Sequence, residues 1–150
     1  MTENLSNYRF HFAYKVTKSI QIKSRIEFSN YELGNNNDER GLLIYQDINY
    51  KQLSFPISFS IRYAIFESDS YNSRIYAYEN DVLYAFSIPA FSGRGSRFYI
   101  VTKYHIARGV DFWLRYSQTY YADRNSVGSG KDEINGNTKS EIKAQLRFKF

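Results

Sequence analysis

The sequence predicts an all-β fold, an antiparallel up-and-down transmembrane β-barrel of about 8–10 strands or the C-terminal part of a larger barrel. Three observations lead there. Apolar and polar residues alternate with period 2 along almost the whole chain, whereas helix-period patterning is hard to find. Aromatics make up 19% of the 150 residues, with 15 Tyr and 12 Phe, although mean hydropathy is only −0.55. Short and long connections alternate between the strand-like runs, as in outer-membrane barrels. No apolar run approaches the ~18 residues of a membrane helix. A transmembrane barrel needs none, because alternation keeps the average hydropathy of its strands low.

The runs follow in order. Tyr8, Phe10, Phe12, Tyr14 and Val16 alternate with Arg9, His11, Ala13 and Lys15. After VTKS, Ile20, Ile22, Ser24, Ile26 and Phe28 alternate with Gln21, Lys23, Arg25 and Glu27. GNNNDERG (34–41) reads as a loop by composition. Leu42, Ile44, Ile48 and Tyr50 then oppose Tyr45, Asp47, Asn49 and Lys51, and Ile57 to Ile65 oppose Ser58, Ser60, Arg62 and Ala64. RIYAYENDVLYAFSIP reads as one long strand or as two strands joined at Asn80-Asp81. The alternation of short and long connections favours the turn, and so nine strands over eight. Phe98 to Ile106 oppose Arg97, Tyr99, Val101, Lys103 and His105. Val110 to Tyr120 oppose Asp111, Trp113, Arg115, Ser117 and Thr119, and a Gly/Asn/Ser-rich loop (122–137) leads to the closing strand. Nothing marks a linker, so residues 1–150 read as one domain.

Three features separate a membrane barrel from a soluble one. The runs are about 9–12 residues long, as a tilted membrane strand requires, where ordinary strands average roughly 5–6. Long polar loops fall on one side and short turns on the other. Tyr8, Tyr14, Tyr50, Tyr63, Tyr104, Tyr116 and Tyr120 sit on apolar faces, many towards strand ends, where an interfacial girdle wants an apolar ring with a polar tip. The lumen would then be lined by Arg9, His11, Lys23, Arg25, Glu27, Asp47, Arg62, Lys103, Asp111, Arg115, Glu141, Lys143 and Arg147. Cations are in excess there, so the lumen is expected to be electropositive.

The last strand, SEIKAQLRFKF (140–150), alternates cleanly and ends on an aromatic. In this it resembles bacterial outer-membrane β-barrel proteins, whose terminal strand carries alternating apolar residues finishing on a C-terminal aromatic, usually Phe. Ala144, Leu146, Phe148 and Phe150 occupy those positions. The small or Gly residue often found further upstream is not obvious. The resemblance implies that outer-membrane lipid surrounds the barrel and that the barrel-assembly machinery reads this strand during insertion. More loosely, YENDVLYAFSIPAFSGRGSRFYI looks like the C-terminal barrel region of longer outer-membrane proteins with helix-hairpin-helix repeats upstream; no such repeats occur in this chain. MTENLSNYRF has neither a charged n-region nor an apolar h-region. Outer-membrane localisation therefore implies a truncated or processed chain, and the other possibility is a cytoplasmic protein.

Sites of chemistry are few. His11 and His105, the two histidines, fall on polar faces with Asp47 and Asp111, and read as lumenal hydrogen-bonding groups rather than general bases. His and carboxylates do not cluster at metal-ligand spacing, and there is no Cys, so neither metal nor cofactor is expected. SGRGS (92–96) lacks the GK[ST] ending of a phosphate loop and reads as an exterior loop. Trp113, on the polar face, is placed to meet lumenal Arg residues. The net charge of +5 comes from singly spread basic residues, which argues against nucleic acid. The expected role is a structural or transport-related membrane module, not an enzyme, with the solute left open. The alternative is a soluble cytoplasmic barrel binding a small hydrophobic ligand, which needs its apolar faces inside.

Overall fold

The computed structural model describes residues 3–34 and 37–150. Its main feature is one antiparallel meander of seven strands. These are β1 (Glu3–Lys15), β2 (Ile20–Leu33), β3 (Asn37–Lys51), β4 (Ile57–Ser68), β7 (Arg94–Ala107), β8 (Val110–Tyr121) and β11 (Thr138–Phe148), paired in that order. Between β4 and β7 lies a small pair, β5 (Ile75–Tyr76) and β6 (Ala90–Phe91). Another, β9 (Ser126–Val127) with β10 (Ile134–Asn135), sits in the last long loop around a short 3-10 turn, Gly130–Asp132. The sheet is open: β11 pairs with β8 and β1 with β2, and the outer edges of β1 and β11 have no ladder among the described residues.

The sequence expectation of nine strands is thus corrected. Residues 75–79 and 87–91 are the two arms of a hairpin, Ile75–Tyr76 pairing with Ala90–Phe91 and Glu79 with Ser87, but they leave the sheet and fold across its concave face. Asn80-Asp81 is not the reversal either. The chain turns at residues 82–85, where the Ala85 N–H reaches Val82 O at 3.1 Å and Tyr84 takes φ +65°. GNNNDERG also differs from the expected loop, since β3 already begins at Asn37; residues 35 and 36 lie outside the described set. Once register is fixed lower down, backbone pairing continues into solvated, polar sequence. SGRGS likewise is only partly loop, because β7 starts at Arg94.

Period-2 patterning and a continuous register give the sheet two chemically opposite faces. One outward row runs Tyr14, Ile22, Ile48, Ile61, Ile100, Tyr116, Ile142 across all seven strands. The neighbouring inward row runs Ala13, Lys23, Asp47, Arg62, Tyr99, Ser117, Glu141. The outward side chains are open: Phe10 is 68% exposed, Ile65 55% and Ile142 71%. Of the inward ones, many on the middle strands are covered, including Arg25, Glu27, Asp47, Arg62, Asp111 and Arg115, whereas those on the edge strand β1 stay exposed. This inverts the usual sorting, in which charged residues are almost never fully buried unless paired.

The expected asymmetry of the connections holds in part: 69–93 and 122–137 are long at one end, but β2 and β3, joined at that same end, are separated only by residues 34–36. Between β1 and β2, Thr17 Oγ1 accepts the N–H groups of Ser19 and Ile20 at 3.2 and 3.0 Å, a hydroxyl-closed turn. Between β7 and β8, Gly109 takes φ +80°, where L side chains are strained, and a Cβ would also approach Lys149 O to 2.6 Å. At the opposite end the concave face holds an apolar cluster of Leu43, Tyr45, Ala64, Phe66, Ile75, Ala77 and Phe91, with Tyr121 against it. Phe66 meets Phe91 and Tyr121 edge-on at 5.3 and 5.8 Å. Gly41 permits the inner segment to seat here, since a Cβ would lie 2.1 Å from Ser73 O.

Candidate functional site: the concave face and its inner hairpin

The hairpin of residues 75–91 is held by the sheet through two sets of contacts, one to its backbone and one to its acids. Arg25 on β2 donates to Tyr76 O at 3.3 Å, Arg62 on β4 to Tyr78 O at 2.7 Å, and Arg115 on β8 to Asn80 O at 3.2 Å. The periods match. Successive inward rows of the sheet lie two residues apart, about 6.6 Å, which is also the spacing of like-facing carbonyls in an extended segment. Each arginine steps one row further along the sheet, so each finds the next carbonyl but one. Tyr99 adds a fourth contact, its hydroxyl accepting the Asn80 N–H at 3.2 Å.

These arginines are spaced by tyrosines. Arg25, Tyr45, Arg62, Tyr99 and Arg115 come from five adjacent strands, β2, β3, β4, β7 and β8. Guanidinium carbons lie over the intervening rings at 5.7, 3.6, 5.5 and 5.4 Å. A ring face between two guanidiniums attracts both and screens one like charge from the next. Asp47 neutralises the middle of the row, accepting from Arg62 Nε and Nη2 at 2.5 and 2.7 Å, a bidentate pair. Glu27 serves the upper end, bonded to Arg25 and, at 2.8 and 3.2 Å, to Arg9.

The hairpin supplies the remaining acids. Glu79 is completely buried. Its carboxylate accepts from Arg97 Nε and Nη2 at 2.7 and 2.8 Å and from Arg115 Nη2 at 2.6 Å. Its backbone N–H donates to Ser87 O across the hairpin at 2.9 Å. Asp81, with its side chain also out of solvent, takes Lys143 Nζ from β11 at 2.8 Å and lies 3.8 Å from Arg115 Nε. Two buried carboxylates on one short segment thus join β7, β8 and β11.

Nearer the short turns, Asp111 bonds Arg147, has His105 Nδ1 at 2.9 Å and lies 3.8 Å from Lys103 Nζ. That saturation leaves His105 a hydrogen-bonding group on an occupied acid. Trp113 lies between Lys103 Nζ at 5.2 Å and Arg147 Cζ at 5.1 Å, the cation contact its polar-face position suggests. Among loop groups outside the sheet, burial would raise the Asp123 carboxyl, yet hydrogen bonds from Arg124 and the Arg94 backbone outweigh it and hold its pKa below the ordinary value.

The structure therefore brings together Arg25, Arg62, Arg115, Asp47, Glu27 and Arg9 from the residues predicted to line a lumen, with Lys143 tied to the hairpin and Asp111 and Arg147 paired near the turns. Glu141 lies 3.0 Å from Lys143 Nζ and 3.8 Å from Arg115 Nη1. His11 remains exposed on the edge strand, and Lys23 and Lys103 are half-buried at the lower end. Sequence reasoning missed Glu79, Asp81, Arg97, Tyr45 and Tyr99. The available signal was the two tyrosines on the polar faces, away from any girdle, and an acid between alternating apolar residues. Groups of three or more His, Cys or carboxylates able to hold a metal do not occur among the described residues.

On the terminal strand, Ala144, Leu146 and Phe148 face outward on β11, with Leu146 and Phe148 exposed, and Phe150 projects beyond the strand, fully exposed. Compared with protein-family models, curated proteins and solved structures, the chain matches none.

Proposed function

We propose that the chain forms part of the wall of a transmembrane β-barrel in a Gram-negative outer membrane, its convex face in lipid and its concave face lining a lumen that the 75–91 hairpin fills. It acts as a structural or transport-related module, without a catalytic role. The sidedness of the sheet carries this reading. Each exposed large apolar side chain on the convex face forgoes roughly 1.5–3 kcal/mol of burial in water, while the charges are gathered on the covered face. One outward row is mixed, with Ser24, Gln46, Gln118 and Ser140 beside Phe12, Tyr63 and Phe98, yet soluble monomers rarely leave so many large apolar side chains open on one face.

Strand length supports the same reading. The 12-residue β4 is about 40 Å long and about 28 Å tall at a 45° tilt, close to the ~30 Å hydrocarbon core. The outward Tyr8, Tyr14, Tyr104 and Tyr120 are exposed, the last three towards strand ends, as a girdle would have them, whereas Tyr63 lies mid-strand and Tyr50 and Tyr116 are half-buried. A soluble barrel enclosing a hydrophobic ligand would need the opposite arrangement, with the apolar rows on the concave side.

Detergent dependence tests the reading. The protein is expected to be folded and monodisperse in micelles and to aggregate when detergent is removed; a stable, folded monomer in plain buffer would overturn it. The terminal strand gives a second test. Deleting Phe150 is expected to reduce membrane insertion in cells several-fold while leaving refolding into micelles unchanged, because the residue makes no inward contact. Undiminished insertion, followed by heat-modified mobility on gels, would remove its role as an assembly signal.

A further inference from the structure

We infer that the short-turn end of the concave face is an anion-binding vestibule, built for a ligand that bears phosphate groups. The inference rests on the reading of this face as a lumen wall and adds the class of molecule that enters it. Three adjoining hollows of about 320, 460 and 450 Å³ lie there and share Lys51. Lys15, Lys18, Lys23 and Lys103 line them as well. Asp81 is the one carboxylate in the lining among the described residues, and it is already held by Lys143 at 2.8 Å.

Elsewhere on this face most cations have an acid: Arg62 with Asp47, Arg97 and Arg115 with Glu79, Arg147 with Asp111. Lys139, at the long-loop end, stands apart as a single cation without an ion pair among the described residues. At this end the matching stops. Lys15, Lys18, Lys23 and Lys51 have no ion-pair partner among the described residues. Lys23 stands beside Asp47 in the register, but both oxygens of that carboxylate are taken by Arg62.

A second observation points the same way. Asn49 lines two of the hollows, and its Nδ2 is buried with no hydrogen-bond partner. Ser60 donates to Asn49 Oδ1 at 2.6 Å, which fixes the amide and leaves its donor end unsatisfied. A buried donor left unmade costs about 1–3 kcal/mol, and a small turn of the amide towards the hollow would bring it to an anion held by the lysines. Unpaired ammonium groups around a free N–H donor suit phosphate oxygens, since lysines bind phosphate as point charges.

The test uses the full chain in micelles of an uncharged, phosphate-free detergent, titrated with pyrophosphate and followed by calorimetry and by phosphorus NMR line width. Saturable binding is expected. The pair Lys23→Gln with Lys51→Gln is expected to weaken it at least tenfold, Lys23→Arg with Lys51→Arg to retain most of it, and Lys131→Gln, in the long-loop 3-10 turn, to leave it unchanged. Absence of saturable binding, or a Gln pair that binds as the parent does, overturns the vestibule. Adding phosphatidylglycerol to the micelles separates two sources of the same chemistry: competition with pyrophosphate assigns the site to a lipid headgroup, and its absence assigns it to a soluble solute. The two readings fail separately. A chain that folds in plain buffer and binds pyrophosphate overturns the membrane reading alone, whereas one that folds only in micelles and binds nothing overturns the vestibule alone.

Discussion

Replacing Glu79 with Ala is expected to cost about 3–5 kcal/mol of stability, the range for removing one partner of a buried ion pair. The magnitude follows from what the carboxylate leaves behind. Arg97 and Arg115 both aim at it, and Arg115 is itself buried. Without Glu79, Arg97 loses its ion-pair partner and Arg115 keeps only the longer contacts to Asp81 and Glu141, both at 3.8 Å. Glu79→Gln keeps the volume and one acceptor, and is expected to lose somewhat less. Urea unfolding in micelles measures the stability. Limited proteolysis across residues 82–85 reports the hairpin specifically, because a released reversal becomes a cleavable loop. A Glu79→Ala protein with parental stability and an uncut hairpin would mean that the Arg25, Arg62 and Arg115 contacts to backbone carbonyls suffice without the acid.

The second large effect belongs to the convex face. Ile44 lies midway along β3, faces outward and is 42% exposed. In a membrane, Ile44→Arg is expected to destabilise the fold by about 2–4 kcal/mol, as for a cation near the bilayer midplane on the lipid face of a barrel. In water the same substitution at an exposed position stays within about 0.5 kcal/mol. Refolding equilibria in lipid vesicles distinguish the two outcomes, and a neutral Ile44→Arg would count heavily against lipid on that face.

Period 2 read the local conformation well and the partners poorly. Along β1 to β4 and β7 to β11 the alternation fixed which side chains share a face, and Arg25, Arg62 and Arg115 fell on the polar side as they should. Along residues 75–79 the alternation of Ile75, Ala77 and Glu79 with Tyr76 and Tyr78 was equally clean. It is extended chain there too, so the pattern is the same. Alternation reports that a segment is extended and has two unlike faces; whether its backbone bonds to strands or to arginine side chains leaves no mark on it. The connections misled for a related reason. Asn80 and Asp81 look like turn residues, but the Asn80 backbone and the Asp81 carboxylate are engaged by Tyr99, Arg115 and Lys143, and the reversal falls later, at residues whose composition is unremarkable. The unpaired lysines of the vestibule were legible only as an excess of cations. Which of them lack partners depends on contacts between strands far apart in sequence.

The open edges of the sheet carry a rule about direction. An antiparallel meander of seven strands begins and ends on strands that run the same way, so β1 and β11 point in one direction. Joining them directly would make a parallel seam, whereas bacterial single-chain barrels are antiparallel throughout and even in strand number. A second copy inserted in the same orientation meets the same obstacle, for its β1 and β11 would lie parallel to the edges they approach. All-antiparallel closure takes an odd number of further strands between the two edges, the outermost running against both. A β-strand that adds to either edge in the antiparallel sense must start where β1 and β11 finish, at the lysine-rich end.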